Sequence, residues 1–434
     1  MTFFELKHAE DLTSLQTIFA VDVEKNRQLE VDVQAIVQAV RDRGDAACIE
    51  LTEKFDGVRI EPERLEITKK ERRAAAKALP EKLVQALYTA AEHIETFHST
   101  QMPSDFHVER PGVLLEERLL PIERVGVYIP GGRAKYPSTV LMTVIPARIA
   151  GVGEIIMVSP PDRETGRIDP SLLVAANIAG VDRIFRLGGA QAIAALAYGT
   201  ETIPAVDKIV GPGNTYVAEA KRQVFGRVGI DMLAGPTELA IWLDETAPPD
   251  WVAQDMFAQM EHDPNTRILL VSTHRRALET IRRHCQDILP RLPRSEILQQ
   301  SCARNTVFVH ARTVELAAAA INAFAPEHLQ LMLNEPRAAL ERIQHAGAVF
   351  VGHHTPTALG DYIAGPNHTL PTLGSARFSS ALSVFDFLRR QHVVTYTPEA
   401  LQKEGPLAVK MAEHEALFNH ALSIAIRYEK RELE

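Results

Sequence analysis

Several short segments combine amide, imidazole and carboxylate side chains with turn residues in patterns that could carry chemistry. In WVAQDMFAQMEHDP, Gln259 and His262 lie three apart on an amphipathic helix stopped by Asp263-Pro264, so both share one face and could converge on one ion. Ala325-Pro-Glu-His-Leu329 follows the helical run TVELAAAAINAF and sets Glu327 beside His328. Two proton-transfer groups of different basicity suit a reaction that joins alcohol oxidation to a hydration step. LGDYIAGPNHTLPT holds Asp361 and His368 across a Gly-Pro turn, a carboxylate and an imidazole fit for a metal or substrate shell. EALFNH repeats the theme with Glu415 and His420, five apart on neighbouring faces of a helix. Taken singly, each segment could be a polar loop or helix end. Their recurrence at apparent element ends, with no cysteine among them, is what points to a site.

Three glycine-bearing turns form a second group: Tyr128-Ile-Pro-Gly-Gly132, Gly188-Gly-Ala-Gln191 and Gly211-Pro-Gly-Asn214. Glycine lets backbone approach a phosphate or sugar, and the Gln191 and Asn214 amides each open a helix, where exposed N–H groups favour an anion. No GxGxxG occurs, so a nicotinamide cofactor here would bind atypically and weakly.

The elements that must position these residues follow from periodicity. Residues 1–110 read mostly as helix, with Glu71–Gln101 rich in Ala, Leu, Lys and Glu. From Arg124 the pattern turns to short β-branched runs (RVGVYIP, EIIMVS, RIFRLGG, KIVGPG) separated by Ala-rich helices, which implies a parallel sheet covered on both faces. After Gly235-Pro236 the alternation restarts with ELAIWL, RILLVS, NTVFVH and AVFVG. The expected organisation is α/β: a helical segment over 1–110, a first Rossmann-like module over 111–235 on the cofactor side, a second over 236–377 on the substrate side, and a tail over 378–434. That tail is too short for a core of its own, so it is expected to dock on another surface.

Composition narrows the function classes. Hydrophobic residues at 46% and charged residues at 24% fit a globular chain, and a net charge of −9 argues against a broad nucleic-acid surface. Cys48, Cys285 and Cys302 are far apart and form no CxxC, which argues against a disulfide framework or a thiolate zinc site. The opening MTFFELKHAE lacks the basic-then-apolar order of a signal peptide, and no run approaches membrane-spanning length, so a cytoplasmic protein without membrane or nucleic-acid partners is expected.

Read together, YIPGGRAKYPSTVLM, LGGAQAIAALAYGT, DKIVGPGN, DMLAGPTE, AQMEHDP, APEHL and GDYIAGPNHTLPTLGSARFSS resemble the histidinol dehydrogenase family in order and spacing, from about residue 25 to the tail. The resemblance implies two incomplete Rossmann-like modules with small tail domains exchanged in a homodimer. It implies zinc, one per chain, on Gln259, His262, Asp361 and His420, and Glu327 and His328 as the catalytic pair. Thr237, His368 and Glu415 match substrate contacts, joined by the zinc ligands and His328, while Tyr128, Gln191 and Asn214 match contacts to NAD. The implied activity is four-electron oxidation of L-histidinol through its aldehyde to L-histidine with two NAD. Two competing readings are a paralogue acting on another amino alcohol or diol, and a non-catalytic zinc scaffold. The sequence departs from the family pattern at Met260, where alanine is usual, and at Ala416, where glycine is usual.

Overall fold

The computed structural model describes residues 1–19, 27–131 and 135–428, so Gly132 of the first glycine turn lies outside them. The strands begin with β1 (Thr2–Leu6), β2 (Phe106–Arg110), β3 (Val113–Pro121), β4 (Arg124–Tyr128) and β5 (Glu154–Ser159). They continue with β6 (Arg183–Arg186), β7 (Lys208–Val210), β8 (Gly229–Ile230), β9 (Glu238–Leu243) and β10 (Arg267–Ser272). The last are β11 (Thr306–Ala311), β12 (His328–Met332), β13 (Ala348–Val351) and β14 (Leu388–Tyr396).

One compact unit, Met1–Gln101 with Glu123–Phe387, contains two parallel sheets. In the first, the order is β6-β5-β4-β7-β8. Counted from β4 this is 3-2-1-4-5, a doubly wound sheet one strand short, with its topological switch between β4 and β7. Its strands are short β-branched runs because helices cover both faces. One of these is Arg27–Asp56, whose Val33, Ile36, Val37 and Val40 are buried against Leu196 and other residues of the Gly189–Tyr198 helix.

The second sheet runs β1-β11-β10-β9-β12-β13 and repeats the 3-2-1-4-5 order from β9, with β1 added at its edge. The period-2 alternation of ELAIWL explains its two cores. Leu239, Ile241 and Leu243 face the helices Pro249–Met260 and Arg275–Ile288, whereas Ala240 and Trp242 face the helix Val314–Phe324. Each of the larger side chains contributes about 1.5–3 kcal/mol by leaving water. The opening TFFEL, within a segment read mostly as helix, pairs residue for residue with β11; an edge strand drawn from the far end of the chain has no local signature.

The second unit joins Met102–Ile122 to the chain from Leu388 onward. It is an antiparallel sheet β14-β3-β2, with Leu388 opposite Pro121 and Tyr396 opposite Val113, followed by helices Pro398–His414 and Phe418–Ala425. Arg110 and Tyr396 both bond Glu404, at 3.0 and 2.7 Å, which ties the sheet to the first of these helices. The tail thus obtains a fold by recruiting a hairpin from much earlier in the chain. The architecture is α/β, with the two incomplete Rossmann-like modules and small C-terminal domain that the family resemblance implies.

Candidate functional site

The two sheets present opposite ends to one crevice. The first offers the carboxyl ends of its strands: Pro130 and Gly131 after β4, Gly211 to Asn214 after β7, and Asp231 and Met232 after β8. The second offers amino ends, with Thr237 just before β9 and His328 opening β12. A cavity of about 510 Å³ lies between them, and Thr237, Gln259, His262, Glu327, His328, Asp361 and His368 all line it.

Glu327 and His328 reach the cavity through a sharp reversal. The helix Val314–Phe324 ends on Ala325, held left-handed at φ 47°, and Pro326 then directs the chain into β12. His328 is buried, with Nδ1 3.7 Å from Glu327 Oε2 and Nε2 3.8 Å from Asp361 Oδ1. Both separations exceed hydrogen-bond length, and neither ring nitrogen has a partner. Burial opposes protonation of this ring, but Glu327 and Asp361 outweigh it and raise its pKa. Burial pushes Glu327 up to about 7 against the pull of His328. Behind it, the Glu238 amide donates to Glu327 Oε2 at 3.2 Å, and Glu238 itself pairs with Arg267 at 2.7 Å. Burial pushes Glu238 to about 7 as well, despite Arg267.

Gln259 sits near the end of the helix Pro249–Met260, where Nε2 donates to Thr357 Oγ1 at 3.0 Å. The helix stops at Met260, so His262 lies in the following turn rather than on the helix. The next turn, at Pro264-Asn265, is built by Asp263, which accepts from the Asn265 amide at 2.7 Å. Asp361 closes the short helix Thr357–Tyr362; burial would raise its pKa, but His328, His368 and His262 hold it below the usual carboxylate range. Burial lowers the pKa of His368, whose Nδ1 lies 2.9 Å from the Asp361 carbonyl and Nε2 3.2 Å from Thr139 Oγ1. Glu415 and His420 belong to the other unit: Glu415 caps the helix Pro398–His414, His420 lies in Phe418–Ala425, and both are exposed. Among the described residues, no three His, Cys, Asp or Glu side chains are grouped to hold a metal.

Tyr128, Gln191 and Asn214 come together in an adjoining cavity of about 920 Å³, which shares Pro130, Gly131 and Asn214 with the first. Asn214 caps the helix Thr215–Val224 by accepting from the Val217 amide at 3.1 Å, and Tyr128 Oη accepts from Gly189 N at 3.1 Å. Gln191 is buried, and both polar atoms of its side chain lack a partner. A bound polar molecule would satisfy them. Gly211, at φ 110°, passes so close to the Tyr128 carbonyl that a Cβ would stand 2.2 Å from it, so only glycine fits this turn. The turn is clamped by a buried ion pair: Lys221 donates to the Gly211 carbonyl at 3.0 Å, and Asp231 accepts from the Gly211 amide at 2.7 Å and from Lys221.

Sequence reasoning missed Lys221, Asp231, Glu238 and Arg267, which act on site loops through contacts invisible in one dimension. It also missed Asp56, which lines the larger cavity from the end of the Arg27–Asp56 helix with one buried oxygen unpartnered. Burial pushes that carboxyl up to about 6. The helix-terminating Phe55-Asp-Gly57 was the available signal. Of the two departures, Met260 is buried against Cys302, Sγ to Sδ 3.4 Å, and does not line the cavity. Ala416 holds φ 59°, which accounts for glycine being usual there.

A family model described as Histidinol dehydrogenase matches residues 21–428. The histidinol dehydrogenase of Aromatoleum aromaticum is 45% identical over 429 residues, covering 98% of each chain. That of Aquifex aeolicus is 46% identical over 402 residues, covering 92% of each. The crystal structure of histidinol dehydrogenase from Elizabethkingia anophelis superposes with a TM-score of 0.92 at 36% identity, covering 98% of both chains.

Proposed function

The chain belongs to the histidinol dehydrogenase family, and from that premise we propose that it oxidises L-histidinol through L-histidinaldehyde to L-histidine, closing histidine biosynthesis, with two NAD and one zinc. It is an oxidoreductase, and the observation that carries the fuller reading is the buried Glu327–His328 pair facing a cavity that adjoins a second, lined by Tyr128, Gln191 and Asn214. No helix among the described residues is long and apolar enough to cross a membrane.

His328 takes the alcohol proton as hydride departs. Neither ring nitrogen has a protein partner, so the unprotonated one is free to do so, and the flanking carboxylates stabilise the imidazolium that results. Tyr128, Gln191 and Asn214 would hold NAD, which would supply the hydride acceptor. The aldehyde stays bound while Glu327, poised near neutrality by burial, removes a proton from water so that a hydrate forms. Loss of a second hydride to NAD, with His328 taking a hydroxyl proton of that hydrate, gives the acid.

The donor set fits zinc. The Gln259 amide nitrogen is committed to Thr357, which leaves its oxygen for a cation, and an imidazole and a carboxylate line the same cavity. Gln259, His262, Asp361 and His420 would hold the ion, which would supply a Lewis-acid template for the nitrogens of the substrate. Thr237, His368 and Glu415 orient that substrate. His420 and Glu415 complete the site of a second copy in a homodimer. Support for this exchange comes from the separate fold of the tail unit and from its exposed Leu407, Met411 and Phe418.

Steady-state turnover tests the reading. Histidinol should yield two NADH per histidine formed. Oxidation of other amino alcohols but not of histidinol would support the paralogue instead, and no turnover at all would support the scaffold.

A further inference from the structure

We propose that a second chamber behind His328 delivers the water consumed in the hydration step, and that His98 positions it. The inference rests on the histidinol-oxidising reading. The chamber, about 310 Å³, shares His328, Asp361, His368 and Leu370 with the substrate cavity, so these side chains form a common wall. Much of the rest is apolar, including Phe97, Val349, Phe350 and Leu382.

His98, only 1% exposed, enters the chamber from the helix Glu81–Ser99. Its Nδ1 lies 2.7 Å from Gln101 Oε1, an oxygen that also accepts from the Val384 amide at 3.3 Å. The ring proton therefore sits on Nδ1, and Nε2 is left as an acceptor. That acceptor is buried without a partner. An unmet buried acceptor is costly, so Nε2 marks a place for a donor. Burial keeps the ring neutral by lowering its pKa, which preserves the lone pair. A water molecule needs two to four polar partners to settle in such a space. His98 Nε2 provides one, and the unpartnered nitrogens of His328 in the shared wall provide others.

The two cavities also open differently. Lys135, Tyr136, Arg294 and Tyr362 line the substrate side, whereas exposed Ala364 and Pro366 form the chamber's rim. An aldehyde retained between its two oxidations obstructs the first mouth, and the chamber gives water another way in. In the step itself the water oxygen bonds to the carbonyl carbon and one water proton passes to Glu327. The carbonyl oxygen takes a proton from the imidazolium of His328, and the product is the hydrate.

The test uses full-length protein and L-histidinaldehyde in two directions. Oxidation with NAD consumes water, whereas reduction with NADH does not. His98→Leu removes the acceptor and Ala364→Phe narrows the rim. Each should slow aldehyde oxidation about tenfold or more while reduction stays within about twofold, the split expected when one water contact is lost. His98→Gln, which retains an acceptor, should recover most of the oxidation rate. Equal slowing in both directions, or none in either, overturns the proposal. If His98→Leu does not fold, the exposed Ala364→Phe carries the same test. Wild-type protein that fails to oxidise histidinol would instead sink the reading on which the chamber rests.

Discussion

Replacing Glu327 with glutamine keeps the side-chain volume and removes a charge that touches both half-reactions, in opposite senses. Burial pushes Glu327 to about 7, so about half is ionised at pH 7 and about a tenth at pH 6. As a base it is active above that pKa, so wild-type aldehyde oxidation should fall about tenfold per pH unit below it. Glu327→Gln should erase that limb and lower aldehyde oxidation by about a hundred- to ten-thousandfold, the usual worth of a positioned base. The alcohol step responds otherwise. Burial acts to lower the His328 pKa, and Glu327 is the foremost influence raising it. Removing that charge lets the His328 pKa fall, so its neutral, proton-accepting form persists to lower pH. The acid limb of alcohol oxidation should move towards acid in the variant, with only a modest loss in rate. The assay is NADH formation against pH, with alcohol and with aldehyde supplied separately. Equal losses in aldehyde oxidation and reduction, or an aldehyde limb that survives unmoved in Glu327→Gln, would refute the assignment of water activation to this carboxyl.

Ala416→Gly should stabilise the tail unit by about 1 kcal/mol, because glycine adopts φ 59° without the steric cost that alanine bears; an unchanged or lower denaturation midpoint would count against this. Lys221→Met leaves Asp231 buried and uncompensated, so it should cost about 3–5 kcal/mol in urea unfolding and raise the KM for NAD through the Gly211 turn, with Asp231→Asn alongside restoring part of the loss. Elemental analysis should find about one zinc per chain, reduced in Gln259→Ala; activity untouched by a chelator would exclude the metal reading. Co-expressing His328→Asn with His420→Asn should restore roughly a quarter of wild-type activity if tails are exchanged, since half of random dimers are mixed and each keeps one intact site. No recovery in verified mixed dimers would mean that each tail serves its own chain.

What could be read from the sequence was whatever depends on local chemistry. Gly188, Gly211 and Asn214 announce strand-to-helix turns because backbone conformation and helix capping are short-range, and the unbroken apolar run in ELAIWL announces a sheet buried on both faces. Pairing between distant segments left no such mark. The β1 strand joins β11, and the β2–β3 hairpin joins β14, through register set by burial far along the chain. The site divides in the same way. Gln259, Glu327, His328 and Asp361 stand in motifs with recognisable neighbours, whereas His98 sits in ordinary helical sequence and Asp56 is marked only by the helix end at Gly57, so both gain their meaning from the cavities they face. Nor does periodicity tell which end of the second sheet would face the substrate.

That orientation has a practical use. Because the second sheet turns its amino ends towards the candidate site, the loops beyond its carboxyl ends are not among the residues that line it, unlike such loops in most doubly wound folds. The connections after Ser272 and after Met332 run on the side of the sheet away from His328. They are therefore permissive sites for inserting a fluorescent or affinity module, or for opening new chain termini by circular permutation. The equivalent loops of the first sheet, after Tyr128 and Val210, would tolerate neither.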